Sequence, residues 1–329
     1  MSYEIIKNLY FIDEIIQEAA SWKARVQNYL SMNLKEEIVN QKEICPEKLV
    51  SLPSWLFEKI KIRFGLEKAL KIGHIMLEKA PIFIRANTLK TTRHNLYHAL
   101  KPHLDLEICQ YSSSSLRVLK PVQFKSFNEY LKGHFEVQDL SSQIVTENIK
   151  LKGNERILDF CAGSGGKSLQ LAAQLKNKGQ INLFDIRKKA LINAKSRLKK
   201  AGAFNTKIYF NKNDLKQLKH KMDIVLLDVP CSGSGTFRRN PDQKFRLEQK
   251  DLARLIQQQR SIVEESLIYL KSNARLIYIT CSILPDENEK QIDYFKDHFN
   301  LETIGHTQQI LPEQNSGDGF FFTQMKFNS

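Results

Sequence analysis

The run Arg156-Ile157-Leu158-Asp159-Phe160-Cys161-Ala162-Gly163-Ser164-Gly165-Gly166-Lys167-Ser168 is a short apolar strand that ends on an acid and enters a glycine-rich loop. Glycines there let the backbone approach a ligand closely, and the helix predicted from Ser168 to Leu175 presents unpaired N–H groups to it. The alternation continues with a strand at 181–185, a helix to Lys200, and strands at 207–210, 224–228 and 276–280. Repeated β-α-β units of this length predict an α/β fold, a doubly wound, parallel, Rossmann-like sheet with helices on both faces. Ligands of such sheets lie beyond the carboxyl ends of the strands. The polar residues falling there are Asp159 with the Cys161–Lys167 loop, Asp185, Asp214, Asp228 with Cys231, and Thr280 with Cys281. Cys231 and Cys281, distant in sequence, are therefore expected to converge on one edge.

Working outward, residues 1–79 read as helical: Ile12, Ile15, Ile16, Ala19 and Ala20 recur at helical spacing, as do Leu56, Phe57, Ile60 and Phe64 after Pro53-Ser54. Cys45-Pro46 separates the two stretches, because a residue before proline is pushed out of the α region. Residues 80–134 read as a small α+β unit, with strands at 82–87, 104–108 and 116–119 and a short helix at 92–100. The third unit is expected over 135–329, and Phe320–Phe322 reads as a buried C-terminal strand.

Composition narrows the class. The 329 residues are 42% hydrophobic and 26% charged, with 14 Gly and 9 Pro, which excludes collagen-like, low-complexity and wholly disordered chains. No uncharged apolar run approaches the ~18–20 residues of a membrane span, and the start lacks a secretory pattern; the expectation is a soluble, cytoplasmic protein. Lys150–Lys221 holds eighteen basic residues against four acidic ones, so this window carries the whole net charge of +14. Such an excess suits a polyanion such as RNA, although Lys188, Lys189, Lys195, Lys199 and Lys200 also fit a solvated helix face. The five cysteines show no Cys-x-x-Cys spacing, and neither a zinc site nor a disulfide framework is expected. The histidines show no metal spacing.

The glycine loop admits three cofactor readings. A nucleotide P-loop fits except that Cys161 stands at its first glycine; a dinucleotide fingerprint lacks its third glycine at Ser168; the third is S-adenosylmethionine. Asp185, about twenty residues beyond the loop, suits either ribose-binding reading. The later motifs separate them. Asp228-Val229-Pro230-Cys231-Ser232-Gly233-Ser234-Gly235 and Tyr278-Ile279-Thr280-Cys281-Ser282 put a cysteine at two strand ends, with Glu287-Asn288-Glu289 beyond. A P-loop ATPase has no use for these thiols. Pyrimidine methylation does: carbon 5 of cytosine is a feeble nucleophile, and a thiolate adding to carbon 6 makes the ring an enamine able to attack an activated methyl group.

The combination resembles the RNA (cytosine-5) methyltransferases of the Sun/Fmu, or RsmB-like, type. It spans roughly residues 50–329, from Leu52-Pro53-Ser54-Trp55 through Ile84–Lys90 and Glu136–Asp139 to Gly317-Asp318-Gly319-Phe320-Phe321. The resemblance implies a methyltransferase sheet preceded by an RNA-recognition-like subdomain. It implies Cys281 as nucleophile, Cys231 as the group that helps expel methylated RNA, and Asp228 beside the flipped cytosine or the methionine end of the cofactor. It also implies Lys167 near the reacting groups, Asp185 on the ribose hydroxyls, Asp214 on the adenine edge, and Cys161, Ala162, Gly163, Ser164, Gly165, Gly166 and Lys167 around the methionine moiety. The substrate implied is an unpaired or loop cytosine, most naturally in ribosomal RNA, because the base must leave its stack. The two sulfurs should then meet across one pocket with room for a lone pyrimidine between them.

Two features depart from the family pattern. Its loop usually reads Cys-Ala-Ala-Pro-Gly-Gly-Lys, whereas Gly163 and Ser164 stand here, which predicts a more flexible loop; and residues 1–79 are too short for an antiterminator-type RNA-binding domain. Arg238, Arg239, Lys244 and Arg246 are candidate phosphate contacts. A P-loop NTPase acting on nucleic acid and a non-catalytic RNA-binding assembly factor are the alternatives; the first suits Gly166-Lys167-Ser168, and the paired cysteines oppose both.

Overall fold

A computed structural model describes residues 45–328. The helical reading of Ile12–Ala20 lies outside the described residues. Helices α1 (Ser54–Phe64) and α2 (Leu66–Leu77) form where the second periodic stretch predicts them, with Gly65 at φ +81° making the break. Their apolar faces bury Leu56, Phe57, Ile60 and Ile72 against Phe237, Leu252, Ile283 and Leu284. The pair is thereby docked on the segments that follow the two cysteines.

A four-stranded antiparallel sheet comes next, in the order β2-β3-β1-β4: β1 Ile82–Ala86, β2 Leu106–Ile108, β3 Ser115–Val118 and β4 Phe135–Val137. Helix α3 (Arg93–Leu100), capped by Thr92 Oγ1 accepting from Asn95 N at 3.1 Å, covers it with Leu96 and Leu100. Strand β4 pairs with β1 in this sheet and so lies on the C-terminal side of the boundary expected at 134/135.

After α4 (Leu140–Glu147), the second sheet has seven strands in the order β10-β11-β9-β8-β5-β6-β7. Its parallel part comprises β5 (Arg156–Asp159), β6 (Gln180–Phe184), β7 (Thr206–Tyr209), β8 (Met222–Asp228) and β9 (Leu270–Thr280). Helices α5 (Gly166–Gln174), α6 (Lys188–Ala201), α7 (Gln249–Leu267) and α8 (Glu289–Phe299) make the crossovers and cover. Successive strand residues serve opposite faces: Ile157, Ile224 and Ile277 enter one core, Leu158, Val225 and Tyr278 the other.

The expectation of an all-parallel sheet needs correcting at one edge. β11 (Phe320–Phe327) runs antiparallel to β9, with Phe321 opposite Thr280, and β10 (Leu301–Ile310) runs antiparallel to β11. A short connection returns β10 to β11 as a hairpin, which parallel pairing does not permit. Phe320–Phe322 is the buried strand predicted. β10 escaped the sequence reading because Glu302 to Thr307 are exposed at the sheet edge and carry no apolar pattern. Among the described residues no helix is long and apolar enough to cross a membrane.

Candidate active site

The strand ends bring two loops together. The first follows β5. Gly163 (φ +53°) and Gly165 (φ +78°) take left-handed backbone conformations, and a Cβ on Gly165 would come 3.2 Å from the Ala194 methyl. α5 starts at Gly166, two residues earlier than predicted. Asp159 is fully enclosed, with Oδ2 accepting from Ser168 Oγ at 2.6 Å; burial pushes its carboxyl up to about 7. Burial likewise raises the Cys161 thiol. Asp185, just past β6, accepts from Gly163 N at 2.8 Å and from Arg187 N, Nε and Nη2 at 2.8, 3.0 and 3.0 Å. Burial opposes its ionisation, but these donors outweigh that and hold its carboxyl below the ordinary range. Lys167 Nζ meets Asp228 Oδ2 at 2.5 Å and stands 5.4 Å from the Phe320 ring centre.

The second loop pair carries the cysteines. β8 and β9 are parallel neighbours with Asp228 opposite Ile279, so short extensions of both strands bring Cys231 and Cys281 to the same height. Their sulfurs are 3.2 Å apart and unbonded. This is contact, so the expected gap for a pyrimidine between them is absent, and any ligand that meets both thiols lies against them from one side. The hydrogen bond with Cys281, reinforced by burial, pushes the Cys231 thiol well up.

A buried polar network fixes this corner. Glu287, wholly buried, accepts from Ser232 N at 2.8 Å, Ser232 Oγ at 2.5 Å and Gln259 Nε2 at 3.0 Å. Burial raises its carboxyl. Gly235 N donates to Cys281 O at 2.9 Å, and Gly319 N to Gly235 O at 2.8 Å. A Cβ on Gly235 would fall 2.1 Å from Gly319 O, which accounts for both glycines. The sequence gives Glu287 no role, because Asp286 beside it and Glu289 two residues on look the same in the chain and only the fold buries Glu287.

Asp185, Asp228, Cys231 and Cys281 line one cavity of about 800 Å³, together with Phe184 and Phe210. A second cavity of about 480 Å³ is lined by Asp159, Cys161, Ser164, Lys167 and Asp228. The loop and both cysteines thus share one region through Cys161 and Asp228. Asp214 does not join them. It is exposed on a short 3-10 helix, and its neighbour Asn213 lines the larger cavity instead.

Of the four candidate phosphate contacts, Arg238, Arg239 and Lys244 are engaged within the protein, while the Arg246 side chain is exposed. Arg238 is 1% exposed and bonds Asp318 at 2.7 Å; Arg239 pairs with Asp318 and, at 2.8 Å, with Asp139; Lys244 is wholly buried; Arg246 pairs with Asp242 at 3.0 Å. Arg238 and Arg239 secure the Gly317-Asp318-Gly319 turn, because a buried aspartate needs cationic partners. Lys188, Lys189, Lys195 and Lys199 are exposed on α6. The lysine and serine that a P-loop would offer to phosphate and metal are occupied by Asp228 and Asp159.

Comparison with known proteins agrees with this layout. The family model described as 16S rRNA methyltransferase RsmB/F matches residues 146–326, and the ferredoxin-like domain of RsmF/B-like methyltransferases matches 52–125. Ribosomal RNA small subunit methyltransferase B of Photorhabdus laumondii is 33% identical over 286 residues, covering 83% of this chain and 66% of that protein. The 28S rRNA (cytosine-C(5))-methyltransferase of Mus musculus is 29% identical, covering 84% of this chain and 39% of that protein. The chain thus spans just under two thirds of the length of the bacterial relative. In fold it is similar to a methyltransferase homolog protein from Pyrococcus horikoshii, with TM-score 0.75, 24% identity, and coverage of 86% of this chain and 97% of that one.

Proposed function

Since the chain belongs to the RsmB/F family of 16S rRNA methyltransferases, we propose that it is an S-adenosylmethionine-dependent methyltransferase forming 5-methylcytosine in ribosomal RNA, at an unpaired or loop cytosine. The observation that carries this reading is the 3.2 Å meeting of Cys231 and Cys281 beside Asp228 in one cavity. The site residues fit the cofactor: positive-φ glycines open the loop backbone, and an acid closes the far end of the cavity. When bound, S-adenosylmethionine supplies an electrophilic methyl group.

Cys281 is the nucleophile. As a thiolate, steadied by the S–H of Cys231, it adds to carbon 6 of the base and turns carbon 5 into a nucleophile. After methylation the carbon 5 proton leaves to water, the 5,6 double bond re-forms and the bond from carbon 6 to Cys281 breaks. Cys231 donates to the departing thiolate. Asp228, held by Lys167, accepts from the amino edge of the cytosine. Asp185 takes the ribose hydroxyls; both its oxygens already have donors, so the exposed Arg187 side chain is the contact that gives way. The Cys161–Lys167 loop holds the methionine end.

In this reading α1 and α2 are a helical lead, 80–134 an RNA-recognition-like subdomain completed by β4, and the residues from α4 onward the methyltransferase domain. The protein works in the cytoplasm, and the exposed lysines of α6 contact RNA phosphates. The test is denaturing electrophoresis of Cys231→Ala with ribosomal RNA and S-adenosylmethionine. A denaturant-stable protein–RNA adduct that disappears when Cys281→Ala is added is expected; no adduct sinks the roles of both thiols. Calorimetry that detects ATP binding and no S-adenosylmethionine binding would return the chain to the NTPase reading.

A further inference from the structure

Gly163 and Ser164, where the chain departs from the usual family loop, predict flexibility when the sequence is taken alone. The surroundings of Ser164 argue the opposite. Arg197 on α6 donates from Nη1 to the backbone O and to Oγ of Ser164, each at 2.7 Å. Its Nε and Nη2 donate to Oε2 of Glu136 on β4, at 3.1 and 2.8 Å. Glu136 is buried, and Lys200 stands 3.9 Å from its other oxygen. Ala194, three residues before Arg197 on the same helix face, lies under Gly165. One face of α6 therefore bears on two successive residues of the loop.

Resting on the reading that this loop holds the methionine end of S-adenosylmethionine, we propose that Arg197 is a positioning residue that clamps Ser164 to Glu136 and so fixes the glycine loop against the small sheet. A planar guanidinium presents donors along two edges, one to a carboxylate and one to the loop; a lysine ammonium cannot span both. A proline at position 164 would restrict the loop from within by fixing φ. Here the restriction comes from outside, and its anchor is β4 of the other sheet. The cofactor loop is thereby tied mechanically to the unit proposed to meet RNA, although Arg197 touches no reacting atom.

Calorimetric titration of the full chain with S-adenosylmethionine tests this. A wild-type protein that binds none overturns the functional reading itself. Given wild-type binding, Arg197→Ala is expected to weaken it about tenfold, Arg197→Lys by nearly as much and Ser164→Ala about threefold. The Arg197→Ala, Ser164→Ala double variant should be no weaker than Arg197→Ala alone, since one clamp is lost in both. In turnover, KM for S-adenosylmethionine should rise while kcat at saturating cofactor and KM for RNA hold. Wild-type affinity in Arg197→Ala overturns the clamp. If that variant does not fold, wild-type affinity in Ser164→Ala does so. Equal losses in kcat and in both KM values also overturn it, since they mark general structural support.

Discussion

The two loops of the site, one lining the larger cavity and the other the smaller, are held by opposite means. The Pro230–Gly235 loop is anchored from within by buried Glu287, by Gln259 Nε2 donating to Pro230 O at 3.1 Å, and by backbone bonds to Cys281 and Gly319. The glycine loop after β5 is held from its rim, by Arg187 through Asp185 and by Arg197 through Ser164, and both guanidiniums reach solvent. Buried networks are stiff because breaking one bond leaves a polar group stranded, whereas rim contacts exchange with water at small cost. Under the proposed function the contrast suits covalent chemistry at fixed sulfurs beside a loop through which the cofactor would enter and leave.

Five substitutions probe this contrast. The largest effect is expected from Cys281→Ala, which should reduce methyl transfer to background in an assay of labelled methyl incorporation; appreciable turnover would remove the fixed corner's chemical purpose. Next comes Glu287→Ala. It leaves the buried Ser232 N–H without its acceptor and removes one partner each from the Ser232 hydroxyl and Gln259, and should cost about 2–3 kcal/mol of stability by denaturant titration. A loss no larger than a surface substitution would erase the distinction between the loops.

Asp159→Asn gives a pH-graded effect in the cofactor-free protein. The folded-state carboxyl lies at about 7, above its ordinary 3.8, so the folded form binds the proton more tightly than the unfolded form. The stability this contributes is fully present below about pH 4 and lost as pH rises through 7, a span worth on the order of 4 kcal/mol. The amide keeps the acceptor for Ser168 and cannot ionise, so the variant should gain on wild type between pH 4 and 7 in thermal melts. Parallel pH curves would refute the protonated acid. Asp214→Ala should have the smallest effect: its carboxylate lies outside the cavity, so S-adenosylmethionine affinity should stay within about twofold. Asn213→Ala should be the weaker binder of the two, and the reverse order would restore the adenine role to Asp214.

Much of the fold was legible because strand ends are marked locally. Asp159, Asp185 and Asp228 each close an apolar run, and parallel strands side by side bring such ends to one edge whatever lies between them. The meeting of Cys231 and Cys281 follows from that rule. Three things were not legible. β10 is an edge strand whose pattern is polar because only its partner side is covered. Arg238 and Arg239 look like phosphate contacts in sequence, since nothing local reveals that Asp318 and Asp139 fold onto them. Ser164 looks loose until Arg197, a helix away, is seen to hold it.

Periodicity, glycine placement and acids at strand ends are properties of neighbours along the chain, so the amino-acid order by itself determined the doubly wound sheet, the ligand edge and the pairing of the two thiols. Which charges are buried in pairs and which remain free, how close the sulfurs stand, and what braces each loop depend on groups up to 227 residues apart. Only the packed chain decides those, because the cost of burying a charge, and the partner that offsets it, exist only once the solvent between them is gone.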